Sequence, residues 1–381
     1  MYRSSRRNFL QQGSALAVAA AAGTFPGLSY GARDKELNIY CWEGYNSDNV
    51  VDPFRREFDA KVRTEALTGD PDAVNRLRAG ETKIWDLINV NNPWARNVMW
   101  PEGLIRALPK DRFEPYYEKM LPAFHPPYNW AYDQSGENLL GMVQRFGTFN
   151  FAIDTNKISI ATAEDEGFNL FLDPAMKGRY GMLAYDDWNI AHMCITAGVD
   201  PYKKHTREEI DAYAKMAKII IDGAKVISDD LAQLNLAVIN DEIDAYFSGG
   251  TYSVSSARHD GALNLYGVTP KTGPMNGKGG ITWIEVTSVV NNPDVSPLAE
   301  EFLAYVQRPE VSKHVAFAEG TYNPVSNMGD PKVLAAFTKE ELQTIQWDTL
   351  EEELTRCADY NINPDLAEMH EIYLAARRDK A

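Results

Sequence analysis

The stretch "GGITWIEVTSVV", Gly279 to Val290, is an apolar run broken by a single carboxylate. Side chains alternate faces along a strand, so Trp283 and Glu285, two positions apart, share one surface. An indole beside a carboxylate offers a wall and a counter-charge to a cation. The plain alternative is an edge strand whose Glu285 faces solvent under the cover of Trp283. The neighbouring sequence decides which context the strand occupies.

Upstream, the chain alternates strand and helix signals. "LNIYCW" (Leu37 to Trp42), "KVRTEAL" and "IWDLINV" read as strands, with "DPFRREFDA" and "DPDAVNRLRAG" as helices between them. This alternation predicts an α/β domain with a largely parallel sheet, whose ligands bind in loops beyond the carboxyl ends of strands. Trp42, Tyr45 and the "NNPW" loop (Asn91 to Trp94) fall at such ends. A second α/β unit follows "LLGMVQRFGTFNFAI". It holds "GRYGMLAYDD", a strand ending on Asp186 and Asp187, and a helix from Arg207 to Asp222 opened by a Thr206/Glu209 capping box and closed by Gly223. "DEIDAYFSGGTYSV" reads as a short strand ending in a Gly-Gly turn, "NLYGVTP" as another strand, and the last part as mostly helical.

The chain has 381 residues, 44% of them hydrophobic, enough for roughly two domains. Its net charge of −16 excludes the basic patch that nucleic-acid binding needs. The N-terminus reads differently. "SSRRNFLQQGSALAVAAAAG" sets Arg3, Arg6 and Arg7 before a short Ala-rich run and resembles a twin-arginine (Tat) export signal, assigned to residues 1–32. Its removal takes away three Arg and no acid, so the remainder is more negative still. No later run reaches the length of a membrane span, which predicts a soluble periplasmic protein. Three cysteines (Cys41, Cys194, Cys357) at wide spacings indicate neither a disulfide framework nor a metal site. Six scattered histidines likewise offer no metal-ligand pair.

Taken in order, "IYCWEGY", "WDLINVNNPWARNVMWPEGLIRALPKDRF", "GRYGMLAYDDW", "DAYFSGGTYSV", "GGITWIEVTSVV" and "GTYNPVSN" resemble the polyamine-binding (spermidine/putrescine) branch of the type 2 periplasmic solute-binding proteins of bacterial ABC importers. The resemblance spans roughly Leu37 to Arg378. It implies the type 2 periplasmic binding protein fold: two α/β lobes joined by crossover strands, with a hinge and a ligand cleft between them. The crossovers fall near Arg145 to Phe151 and near Ile281 to Val286. This assigns 33–146 and 283–328 to lobe 1, and 147–282 and 329–381 to lobe 2.

The resemblance also implies roles. Trp42 and Tyr45 would flank the methylenes of an amine, Asp187 would bind one ammonium, and Trp283 with Glu285 would hold the other part of the ligand. Phe247 stands where a tryptophan is common; Asn92, Trp94 and Tyr322 complete the implied ligand-binding set. Ile190 and Gly44 replace acids of the family pattern, although Glu43 is adjacent to Gly44. Arg145 stands where the family is usually uncharged and could grip a ligand carboxylate bidentately. These departures favour a shorter ligand, a diamine or an ω-amino acid such as 4-aminobutyrate, with a betaine as a related alternative. Structural roles compete at several positions. Asp186 or Asp187 could cap a helix starting near Trp188, Trp94 and Phe247 could be core, and Arg145 could pair with an interlobe acid.

The expected function is capture of a small amine-bearing solute and delivery to an inner-membrane permease, by a monomer with no cofactor and no metal. A Tat-exported enzyme and a ligand-presenting sensory protein are the alternatives from other classes. No phosphate loop, dinucleotide fingerprint, G-x-S-x-G or H-E-x-x-H motif supports catalysis.

Overall fold

The computed structural model describes residues 33–125, 130–318 and 320–380. The proposed export signal lies outside the described residues. Parallel strands β1 (Glu36–Cys41), β2 (Lys61–Ala66) and β3 (Leu87–Asn91) form one half of a ten-stranded sheet. Two long strands, β4 (Met142–Asp154) and β9 (Gly280–Val289), run through its middle. Parallel strands β5 (Tyr180–Leu183), β6 (Val226–Ser228) and β7 (Ala245–Gly250) form the other half. There β8 (Leu265–Val268) pairs with β4, and β12 (Cys357–Asp359) with β9. A separate two-stranded ribbon joins β10 (Phe317–Ala318) to β11 (Thr321–Tyr322).

The opening stretch is β9, and every one of its residues is buried. Its first residues pair with β12 (Gly280 opposite Cys357), and its last with β3 (Asn91 opposite Glu285, Leu87 opposite Val289). It therefore passes from one half of the sheet to the other. β4 does the same beside it: Gly147 lies opposite Trp283, while Phe149 to Ile153 pair with β7. An edge strand with a solvated Glu285 is excluded, because β9 has strands on both sides and Glu285 is only 4% exposed. The pairing of β4 with β9 slips between Val143 and Phe146, an extra residue that re-aims Arg145.

Several sequence readings change. The first helix starts at Asp48 and carries Pro53 at its sixth position, where the missing N–H forgoes one bond to the turn before it. The Gly-Gly pair is the end of β7, from which the helix Thr251–His259 starts directly. A Cβ at Gly250 would stand 2.3 Å from the Thr148 carbonyl oxygen, so glycine is required for β4 to pass this close. The helix Asp186–Thr196 begins two residues earlier than read, with Tyr185 as its N-cap; neither Asp186 nor Asp187 caps it. The helix Arg207–Gly223 has the predicted capping box and buried stripe. Among the described residues no helix is long and apolar enough to cross a membrane.

Candidate functional site

The parallel strands of both halves aim their carboxyl ends at one cavity of about 510 Å³. Trp42 and Glu43 follow β1, Asp70 follows β2, and Asn91 ends β3. From the other half, Tyr185 and Asp187 follow β5, and Tyr252 follows β7. The crossover strands form its floor, with Phe149 on β4 and Trp283 and Glu285 on β9, and Tyr360 enters just after β12. Trp283 and Glu285 thus share one face, as strand alternation demands.

Local packing fixes these side chains. Asn189, in the helix Asp186–Thr196, donates to the Leu183 carbonyl at 2.7 Å and accepts from the Ser248 hydroxyl at 2.6 Å. His192 of the same helix bridges Ser248 (2.8 Å) and the Phe149 carbonyl (2.9 Å). Ser248 sits at a bulge of β7 with φ of 60°, which brings its hydroxyl to the helix. Asp187 is therefore held against β4 and β7 through its own helix. The walls are aromatic. Trp188 stacks on Tyr360 with centroids 4.6 Å apart, and Phe149 meets Trp188 edge-on at 4.9 Å.

Among the described residues five carboxylates line the cavity (Glu43, Asp70, Asp186, Asp187 and Glu285), and no Lys, Arg or His does. They are not equivalent. Glu285 is bound to Arg145 in a two-point ion pair, Nε to Oε2 at 3.1 Å and Nη2 to Oε1 at 2.9 Å. Asp186 accepts from His370 at 3.0 Å and lies 3.5 Å from Arg377. Glu43 accepts a 2.6 Å bond from the Tyr252 hydroxyl, which joins the two halves of the sheet. Asp70 accepts from the Trp42 indole (3.1 Å) and from the Asn91 backbone (3.2 Å) and side-chain amide (2.7 Å). Asp187 accepts no hydrogen bond and forms no ion pair among the described residues. Burial pushes the Asp70 carboxyl up to about 6, against its neutral donors. Burial also raises Asp187; His370 opposes this and Asp186 adds to it.

The predicted residues divide. Trp42, Glu43, Asp187, Trp283 and Glu285 line the cavity together. The others lie outside its lining. Arg145 is 1% exposed, committed to Glu285, with its guanidinium 5.0 Å from the Tyr45 ring. It is thus the partner of an acid, the competing role the sequence allowed, with Nε and Nη2 turned to Glu285 and the side chain outside the cavity lining. Tyr45 is 1% exposed beneath it, and its hydroxyl accepts the Arg145 backbone N–H at 3.2 Å. Gly44 has φ of 108°, and a Cβ there would come within 2.5 Å of Arg145 Nη1, so the acid of the family pattern has no room. Asn92 and Trp94 are buried in the short helical turn after β3. Phe247 is core, edge-on to Phe171 at 5.2 Å and to Phe168 at 5.5 Å. Tyr322 stacks on Phe317 at 4.5 Å in the two-stranded ribbon.

Sequence reasoning missed Asp70, Tyr185, Tyr252 and Tyr360. Asp70 had a usable signal, since it opens a helix directly beyond a parallel strand, where such sheets bind ligands. Tyr252 was hidden by the reading of the Gly-Gly pair as a turn.

No protein-family model matches the chain, and no curated protein matches it. Solved structures do. The substrate-binding protein of a spermidine/putrescine ABC transporter from Streptococcus pneumoniae, in complex with calcium and HEPES, matches with a TM-score of 0.66 at 14% identity, covering 91% of this chain and 100% of its own. A lipoprotein of Treponema pallidum matches at 0.66 with 12% identity, covering 90% of this chain and 99% of its own. A binding protein of A. tumefaciens in complex with glucopine matches at 0.62 with 15% identity and the same coverage. At these identities the likeness establishes the fold, which is that of the type 2 periplasmic binding proteins. The chemistry of the ligand is carried by the side chains of the cavity.

Proposed function

We propose that this chain, with the two-lobed fold of the periplasmic binding proteins, is the solute-binding component of an ABC importer and captures a small aliphatic di- or polyamine. The single observation that carries the reading is the cavity's charge: among the described residues it is lined by five carboxylates and no basic side chain, and three of the acids, Glu43, Asp70 and Asp187, form no ion pair. An ammonium that leaves water loses hydration which only fixed carboxylates and hydrogen bonds replace. Aromatic faces cover the methylenes and add about 0.5 to 2 kcal/mol of cation–π attraction each.

A zwitterionic ω-amino acid finds no basic side chain for its carboxylate among the described residues of this lining, and Arg145 is withdrawn behind Glu285. We assign 33–146 with 283–328 to one lobe and 147–282 with 329–381 to the other. Export through the twin-arginine pathway, residence in the periplasm and delivery to an inner-membrane permease complete the reading. The N-terminal Arg6-Arg7 pair supports the first of these.

A thermal-shift series with putrescine, spermidine, 4-aminobutyrate and glycine betaine tests it. A ligand that binds only the folded state stabilises by about 2.7 kcal/mol at a hundredfold excess over Kd. Putrescine or spermidine should raise the melting temperature. A shift with 4-aminobutyrate alone would overturn the amine reading.

A further inference from the structure

We propose that Asp70 and Asn91 form a subsite for a primary ammonium group on the β1–β3 side of the cavity, and that this subsite restricts the ligand to amines carrying N–H donors. The inference rests on the amine-binding reading above and adds to it two residues that the family resemblance does not mark.

Both residues line the cavity and are more than nine-tenths buried, Asp70 at 5% exposure and Asn91 at 8%. An ionised carboxylate offers about four lone-pair directions. Asp70 uses three of them: Oδ1 receives the Trp42 indole N–H and the Asn91 backbone N–H, and Oδ2 receives the Asn91 side-chain amide. Its remaining capacity is unused, and it forms no ion pair among the described residues. The second observation is independent of the first. With its Nδ2 turned to Asp70, the Asn91 side chain leaves Oδ1 buried and without a donor. Buried acceptors in folded proteins are nearly always satisfied, and of the described buried side-chain atoms without a partner only Asn91 Oδ1 belongs to a residue that lines the cavity, which is why its donor is assigned to the ligand.

The two open positions are both acceptors, and their complement is a group with several N–H donors and a positive charge. An alkylammonium has both. A quaternary ammonium has the charge but no N–H, and would leave both acceptors desolvated and unpaired. Asp70 also stands in the first turn of the helix Asp70–Arg78, where the backbone dipole favours the anion.

A solely structural Asp70 would explain the three bonds it accepts but not the open amide oxygen beside it. The charged and titratable groups facing Asp70 are Glu285 from β9, with Arg145 behind it, and Tyr360 from the segment after β12; Tyr360 lies near Asp187 as well. Burial holds the Asp70 carboxyl at about 6 in the free protein, so an arriving ammonium displaces a proton.

The test is calorimetry on the full mature chain at pH 6, titrating putrescine in two buffers of different ionisation heat, and repeating with its fully N-methylated diquaternary analogue. Expected are proton release on putrescine binding and binding of the diquaternary analogue weaker by roughly 100-fold, the cost of unpaired buried acceptors. Proton release should persist in Asp187→Asn and fall clearly in Asp70→Asn, with at least a tenfold loss of putrescine affinity. If folded Asp70→Asn keeps both the affinity and the release, the subsite is wrong while the amine reading stands. If Asp70→Asn does not fold, the wild-type protein decides. Putrescine binding with no proton release and no preference over the diquaternary analogue overturns the subsite. A wild-type protein that binds no amine overturns both readings.

Discussion

Arg145 and Glu285 clasp each other across the two strands that join the halves of the sheet, with Nε and Nη2 of one on both carboxylate oxygens of the other. The pair is buried, with side-chain exposures of 1% and 6%. Each partner owes its place in the interior to the other. Burial alone pushes the Glu285 carboxyl up, and Arg145 works against that shift. Removing one partner strands a charge, whereas removing both leaves an apolar space that the crossover strands can pack. Glu285→Leu and Arg145→Met should therefore each destabilise the protein by about 3 to 5 kcal/mol. The double replacement Arg145→Met with Glu285→Leu should cost less than either alone. Urea unfolding of the four proteins measures the cycle, and additive losses would exclude the coupling.

This pair also marks where sequence reading reaches its limit. The strand that carries Glu285 was legible as a strand from its apolar run, with Trp283 and Glu285 on one face from their spacing, while its role as a crossover came from the family resemblance alone. The alternation of strands and helices gave the α/β class, and the carboxyl ends of the parallel strands located the cavity. What stayed hidden depends on register. The slip in β4 between Val143 and Phe146 turns Arg145 onto Glu285, and no local pattern announces a bulge. Tyr45 and Phe247 have the aromatic character of cavity walls, but their depth is set by long-range packing, and both end in the core. Asp70 and Tyr360 belong to the cavity only because β2 and β12 join the sheet where they do.

Gly147 and Trp283 lie opposite each other on the crossover strands, and the indole rests on the glycine. A Cβ at position 147 would stand 3.2 Å from Trp283 Nε1 and 3.3 Å from Cζ2, tighter than ordinary side-chain packing, so the indole must shift to admit it. Gly147→Ala should push the ring out of its place in the cavity wall. Loss of a well-placed aromatic face is worth about 0.5 to 2 kcal/mol, so amine affinity should fall roughly two- to thirtyfold. Calorimetry reads the affinity, and the tryptophan emission reads the displaced ring. Unchanged affinity would remove Trp283 from the ligand's surroundings.

The Tyr252 hydroxyl donates to Glu43 across the cavity and stands 3.3 Å from the Tyr185 hydroxyl. Glu43 belongs to the turn after β1, and Tyr252 to the helix after β7, so the bond ties the two halves together over the ligand space. Hydrogen bonds to charged groups contribute about 1.5 to 3 kcal/mol. Tyr252→Phe keeps the ring and removes only the donor. It should speed amine dissociation by roughly tenfold or more with little change in the association rate, because the bond acts on the bound, closed arrangement. Stopped-flow release into excess competitor measures it, and an unaltered dissociation rate would show that the bond does not hold the ligand in.

Asp70 sets a pH dependence on the stability of the free protein, and its sign follows from the direction of the shift. The carboxyl is held at about 6 in the folded chain, above its ordinary value of 3.8. The folded state therefore binds the proton more tightly than the unfolded state does. Its contribution is complete below pH 4 and is lost as the pH rises through 6, a change of roughly 3 kcal/mol. Burial raises Asp187, Glu285 and Glu353 as well, and these act in the same direction. Asp133 and Asp365, both held at about 2, act in the opposite direction and only below pH 4. The share of Asp70 is isolated by comparison with Asp70→Asn, whose stability should decline less between pH 4 and pH 7. Saturating putrescine should restore the wild-type protein at pH 7 and do less for the variant, since the cation compensates the charge that burial leaves exposed to no solvent. Chemical unfolding at four pH values, with and without the diamine, gives both curves. Parallel curves for the two proteins would mean that Asp70 carries no buried charge at neutral pH.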